Sequence, residues 1–138
     1  MGSTKLRIEE VTHNRERFMD LLLLADPSQA MVMSYLERGY LFALYEQNET
    51  YGVIHLDPHE EETIEIKNIA VKEEAQGKGY GKHLVQYAIE YCRHLGYKKM
   101  IVGTGNSSIG NFAFYQKMGF RFKEIVCRCG RFRRLGRR

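Results

Sequence analysis

The sequence predicts an α+β fold: a mixed, mostly antiparallel sheet with the element order β-α-α-β-β-β-α-β-α-β. Three observations carry that expectation. Apolar residues alternate in short runs between Tyr40 and Val71, which is the period of strands. Apolar residues fall at helical spacing from Leu84 to Leu95. A run of strands comes first and strands then interleave with helices, the order of a mixed sheet rather than a doubly wound one.

Taken along the chain, Lys5–Val11 alternates loosely and reads as a first strand. The leucine-rich stretch Arg17–Ala25 reads as a helix, and Asp26-Pro27-Ser28 stops it and starts a second, with Ser28 as cap. That helix runs to Arg38 and ends at Gly39. Tyr40–Gln47 and Thr50–Leu56 are strands joined by a turn at Asn48-Glu49, the second carrying Tyr51, Val53 and His55 on one face. A polar loop over Asp57–Glu62 leads to a strand over Thr63–Val71. Its alternation breaks between Ile66 and Ile69, the signature of a bulge. A glycine-rich loop follows, then the long helix closed by Gly96, a short strand Lys99–Val102, a helix Ile109–Met118 closed by Gly119, and a last strand Phe120–Cys127.

The 138 residues, 43% hydrophobic and 12% aromatic, suit one folded domain. We read that domain as residues 1–127, followed by an Arg-rich tail over 128–138. The net charge of +4 is unevenly placed: residues 1–120 carry 13 basic against 16 acidic residues, so the whole excess lies in the last eighteen. Such a tail can bind nucleic acid without sequence preference, but a solvated end is the plainer reading, and no nucleic-acid partner is expected. Cys92, Cys127 and Cys129 are odd in number and include a C-x-C. Reduced thiols in a cytoplasmic protein are therefore expected. The five histidines show no metal-ligand spacing, so no metal is expected. Apolar runs such as Leu21–Ala25 fall far short of a membrane span.

The chemistry is concentrated in Gln76-Gly77-Lys78-Gly79-Tyr80-Gly81-Lys82, between a strand and a helix. Amides at a helix start lack helical partners and can point at an anion. Glycine lets backbone approach phosphate closely. A Walker A loop requires Gly and Ser/Thr where Gln76 and His83 stand. A dinucleotide loop requires G-x-G-x-x-G, whereas these glycines are at 77, 79 and 81. A pyrophosphate held by amides after a mixed-sheet strand remains.

Gln76-x-x-Gly79-x-Gly81 resembles the Q/R-x-x-G-x-G/A signature of the GNAT acetyltransferases. A second block, Asn106-Ser107-Ser108-Ile109 followed by Phe114-Tyr115-Gln116-Lys117-Met118-Gly119-Phe120, resembles that family's N…(F/L)-Y-x-K-x-G-F segment. The resemblance covers roughly residues 5–126 in the right order. It implies acetyl-CoA as cosubstrate and a small-molecule or protein amine as acceptor. It also implies pyrophosphate on the amides of Gln76, Gly77, Lys78, Gly79, Gly81 and Lys82. The pantetheine arm would pair with the fourth strand at Ile69, Ala70 and Val71, with Asn106 and Asn111 as further candidates to bind it. Tyr115 corresponds to the tyrosine that protonates the leaving sulfur; its plainer role is a core aromatic. Glu65, eleven residues before Gln76, stands where histone-type members carry a catalytic glutamate; its plainer role is a solvent-facing strand residue.

Family members usually continue with a further strand lining the acceptor site, whereas Cys127–Arg138 has little strand character. The expected consequences are a sheet edge near Cys127, a homodimer or loose tail covering it, and, as the alternative function, an acyl-CoA-binding module without turnover.

Overall fold

The computed structural model describes residues 5–102, 112–119 and 126–127. Its strands are β1 (Leu6–Glu10), β2 (Tyr40–Glu46), β3 (Glu49–Pro58), β4 (Thr63–Val71), β5 (Lys99–Val102) and β6 (Val126–Cys127). Its helices are α1 (Met19–Ala25), α2 (Gln29–Tyr35), α3 (Tyr80–Leu95) and α4 (Phe112–Lys117). The strands form one sheet in the order β1-β2-β3-β4-β5-β6. Every neighbour pair is antiparallel except β4 and β5, which are parallel. This is the expected α+β order.

Each face of the sheet buries a separate core. On one, Phe42, Leu44, Ile54, Leu56, Ile64, Ile66, Ile69 and Val71 meet Leu84, Val85, Ala88, Ile89 and Cys92 of α3. On the other, Leu41, Ala43, Val53 and Ala70 meet Leu21, Leu22 and Ala25 of α1 and Val32, Tyr35 and Leu36 of α2. The expected bulge is present: His55 pairs with Asn68 and Leu56 with Ile66, leaving Lys67 as the extra residue of β4. It lets Ile64, Ile66, Ile69 and Val71 all face α3.

Local ends differ from expectation where backbone geometry overrides pattern. The first helix begins as a 3₁₀ turn, Arg15–Phe18, entered through Asn14 at φ 57°. Ser28 caps α2 as expected, its hydroxyl accepting from the Met31 amide, but regular helix stops at Tyr35. The β2–β3 turn lies at Gln47-Asn48, both at positive φ, one residue earlier than expected. Tyr51 does not share a face with Val53 and His55. The β2–β3 register shifts beside it, so its ring packs on the α3 side, 5.6 Å from that of Tyr80. The sixth strand is described only at Val126–Cys127, paired with Ile101 and Met100. The expectations for Phe120–Ile125 and for the tail lie otherwise outside the described residues.

The end of α2 is held by a buried cation. Arg15 is 6% exposed and donates to the carbonyls of Val11, Leu36, Arg38 and Gly39 at 2.7–3.0 Å. A positive charge at a helix C-terminus is favourable. His55 Nε2 lies 2.8 Å from the Arg38 carbonyl; a carbonyl only accepts, so the ring donates there. Burial pushes the His55 pKa down from 6.5 to about 4, so the buried ring is neutral.

Two predictions follow from this corner. At Gly39, φ is +61° and an added Cβ would run into the Leu56 carbonyl oxygen and come within 2.9 Å of Pro58 Cδ. Gly39→Ala should therefore cost roughly 2 kcal/mol or more in denaturant unfolding; an unchanged midpoint would refute the close approach. For His55, a depressed folded-state pKa means that unfolding takes up a proton. Its contribution is complete above pH 6.5 and is lost as pH falls through about 4. Across that window the wild type should lose about 1.4 kcal/mol per pH unit relative to His55→Gln; parallel pH profiles would remove this role.

Candidate active site

β4 carries the site because its two ends are partnered differently. Thr63–Ile66 pair in parallel with Lys99–Val102 of β5. From Asn68 to Val71 the strand pairs with β3 on one edge, and among the described residues no strand covers the other. The backbone of Ile69, Ala70 and Val71 thus lies beyond the stretch of β4 that pairs with β5. A bare strand edge can accept an extended ligand as a further strand.

The glycine loop stands at the end of that edge. After the 3₁₀ turn Glu73–Ala75, Gly77 and Gly79 take φ values of 87° and 88°, and Gly79 is the N-cap of α3. No side chain caps this helix start. The first helical hydrogen bond is that of the His83 amide to Gly79 O at 3.1 Å, which leaves the Tyr80, Gly81 and Lys82 amides without helical acceptors, while the Gln76 and Lys78 amides make long turn bonds to Glu73 O and Ala75 O at 3.3 and 3.4 Å. A cavity of about 430 Å³ opens here, lined by Val71, Gln76, Gly77, Gly79, Gly81 and Lys82 among others. A Cβ built at Gly77 or Gly79 meets nothing within 4 Å. The loop is thus an open cradle of amides with exposed Lys78 and Lys82 beside it, which fits an anionic ligand.

Two contacts hold the cradle in shape, and sequence reading found neither. The Gln76 side chain turns back and donates to Val71 O at 3.1 Å, tying the loop to the end of β4. The Tyr80 hydroxyl bonds to the Glu46 carboxylate on β2. That acceptor, aided by burial, pushes the Tyr80 pKa up to about 12. Tyr80 lay inside the motif, at a position where the motif specifies nothing.

Glu65 lies on the strand where β4 still pairs with β5, opposite Ile101. Its side chain is 14% exposed, with Oε1 2.8 Å from His59 Nε2 and 3.9 Å from Lys67 Nζ, so it is not an open solvent-facing residue. Tyr115 of α4 is 4% exposed and belongs to the core on the α3 face, consistent with its plainer role as a core aromatic. Asn106 and Asn111 lie outside the described residues.

Behind Glu65, polar side chains join α1 and α2 to the bulge. Asn68 Nδ2 donates to Leu22 O at 3.0 Å and to the Tyr35 hydroxyl at 2.9 Å. That hydroxyl donates to Asp26 Oδ2 at 3.1 Å. Arg38 grips Asp57 through two nitrogens, the shorter contact being 2.7 Å. No pattern in the sequence marks these pairs, because each joins residues far apart in the chain. Among the described residues no group of three His, Cys, Asp or Glu side chains could hold a metal ion.

A mixed sheet with an amide cradle at the end of β4 suits a transferase that takes an anionic cosubstrate such as an acyl-CoA. The chain matches the Acetyltransferase (GNAT) family over residues 8–120 and belongs to it. It is 48% identical over 125 residues to YvbK, an uncharacterised N-acetyltransferase of Bacillus subtilis, covering 91% of this chain and 81% of that protein. Among solved structures it is similar to a Bacillus subtilis acetyltransferase in complex with CoA, with 50% identity, a TM-score of 0.77 and coverage of 85% and 77% of the two chains. A GNAT family acetyltransferase from Elizabethkingia anophelis with acetyl-CoA bound gives 43% identity, a TM-score of 0.79 and coverage of 86% and 78%. The chain is accordingly an acetyl-CoA-dependent acyltransferase.

Proposed function

We propose that the chain moves the acetyl group of acetyl-CoA to a primary amine of a small molecule or protein. The observation that carries this is the amide cradle at Gln76–Lys82, which follows the stretch of β4 that no other described strand but β3 covers. Acetyl-CoA supplies an activated thioester. Amides of Gln76, Gly77, Lys78, Gly79, Gly81 and Lys82 hold its pyrophosphate, with Lys78 and Lys82 adding charge. Ile69, Ala70 and Val71 pair with the pantetheine arm, and Asn106 and Asn111 keep the role expected of them there.

The acceptor arrives as an ammonium and must lose a proton before its nitrogen can attack. Glu65 takes that proton. The departing sulfur takes a proton from the Tyr115 hydroxyl, and the second N–H proton, shed as the amide forms, restores that hydroxyl. The binding-module alternative gains no support from the relatives, which are named as N-acetyltransferases and acetyltransferases. The same proposal takes residues 1–127 as the catalytic domain and 128–138 as a tail. It sets the protein in the cytoplasm, with Cys92 a buried, reduced thiol, and without a membrane or nucleic-acid partner. A second copy of the chain is the partner suited to the sheet edge at β6.

Two experiments decide the main points. Gly79→Val would place a branched side chain in the cradle at a φ that such residues avoid. Calorimetry on the folded variant should show acetyl-CoA affinity reduced at least about tenfold; full affinity would sink the loop assignment. For turnover, thiol release is followed with propylamine, 2-phenylethylamine, spermidine, a peptide with a free N-terminus and a peptide with a free lysine. At least one should be acetylated, and Tyr115→Phe should slow it by roughly 10²-fold with acetyl-CoA affinity kept. Tight acetyl-CoA binding with no thiol release from any amine would favour the binding module. An unimpaired Phe variant would move the proton donor elsewhere.

A further inference from the structure

An ammonium and a thioester become an amide, a free thiol and one proton, so every turnover must export a proton. Glu65, which receives it first in the proposed reaction, is poorly placed to hand it to water, its side chain being 14% exposed. His59 stands between the two. Its Nε2 lies 2.8 Å from Glu65 Oε1, while 44% of its side chain is exposed. It lines an open cleft of about 710 Å³ with Pro58, Glu60, Thr63, Lys99 and Ile101.

The fold builds this contact. The β3–β4 hairpin closes with Glu61 and Glu62 at positive φ. The His59 amide donates to Thr63 O at 2.8 Å, which sets the imidazole above Glu65, two positions further along β4. The other charged neighbours cannot serve. Lys67 Nζ, on the same strand, approaches Oε1 at 3.9 Å, but an ammonium has no lone pair with which to take a proton. Asp57, opposite on β3, is held by Arg38 at 2.7 Å. Arg38, which also feels the Glu65 charge, is a permanent cation. From β5 the facing residue is Ile101. Imidazole is the side chain that exchanges protons most readily near neutral pH.

We propose that His59 is a positioning and relay residue that acts through Glu65 and carries the exported proton to solvent; this rests on the reading of Glu65 as base. The ammonium N–H bond breaks as the Glu65 O–H bond forms. That proton then passes to the lone pair of His59 Nε2, regenerating the carboxylate and giving an imidazolium. The imidazolium releases a ring proton to water in the cleft, and exchange with that water resets the tautomer. No electrons change hands.

The test uses the full chain and the amine of the panel above that turns over fastest. His59→Ala should lower kcat/KM for the amine about tenfold, most at low pH where more of the acceptor is protonated, with KM for acetyl-CoA unchanged. Added imidazole should restore His59→Ala in proportion to its concentration and leave the wild type unaffected. His59→Gln, which keeps a hydrogen bond but cannot relay, should stay as slow as His59→Ala. Calorimetric binding of acetyl-CoA confirms that each variant is folded. Wild-type kcat/KM in His59→Ala, recovery in His59→Gln, or no response to imidazole would each overturn the relay. Glu65→Gln separates this from the underlying reading: full activity there removes Glu65 as base, whatever His59 does. If Glu65→Gln is slow, adding His59→Ala to it should slow it no further, and additive losses would again overturn the relay.

Discussion

The site depends on one extra residue in β4. Lys67 has no partner of its own on β3, because Asn68 pairs with His55 and Ile66 with Leu56. A strand without this bulge would put Ile66 and Ile69 on opposite faces, and one of them would stand outside the α3 core. With it, Ile64, Ile66, Ile69 and Val71 all pack under α3. The side chains left over turn the other way: Asn68 and Ala70 toward α1 and α2, and Lys67 over the Tyr35 ring at 5.7 Å. Glu65 joins them, close enough for Oε1 to meet Lys67 Nζ. The same bulge stands between the stretch of β4 that pairs with β5, Thr63–Ile66, and Asn68–Val71, beyond the last residue of β5 so paired. A packing requirement of the core thus fixes where the proposed base stands relative to the end of β4 that β5 does not pair with.

Much of this was legible in the sequence, and the reasons are specific. The bulge announced itself because Ile66 and Ile69 break a period of two, and burial makes that period strict. Ser28 and Gly96 were legible as caps because each solves a local backbone problem within three or four residues. The glycine loop was legible because positive φ at Gly77 and Gly79 leaves little choice of residue. Tyr51 was misplaced because it is itself the extra residue of β3, left between Thr50 and Gly52, which pair with Tyr45 and Leu44, and nothing local encodes that shift. The Glu46–Tyr80, Asn68–Tyr35 and His59–Glu65 contacts were illegible for a related reason. Each is a pair of ordinary polar residues until the sheet brings them together.

The two faces of the sheet are held by different forces. Under α3 the contacts are apolar, and apolar burial is strong but non-directional. It sets how closely the helix packs, while the glycine loop at its start depends on two polar ties, Gln76 to Val71 O and Tyr80 to Glu46, to hold its path. Under α1 and α2 the apolar contacts are crossed by buried polar bonds from Asp26, Tyr35, Asn68 and Arg15. A buried polar group left without a partner costs about 1–3 kcal/mol, so these bonds penalise any sliding of the helices over the strands. Directional bonds thus fix the helix pair to β4 on the face where Glu65 stands.

That rigidity has a local counterpart in how charge is handled. Arg15 is spent on carbonyls at the end of α2, and Arg38 is occupied by Asp57. His55, buried without a carboxylate partner, is held neutral by its burial. Among the described residues, the charged and titratable side chains within 4 Å of the Glu65 carboxylate are then Lys67 and His59. One is an ammonium, which cannot accept a proton; the other carries an imidazole that can relay one and reaches solvent. A carboxylate in that setting has a counter-charge on one side and an outlet on the other. These are the two provisions that an enclosed base needs to take a proton from a cationic substrate and be ready for the next.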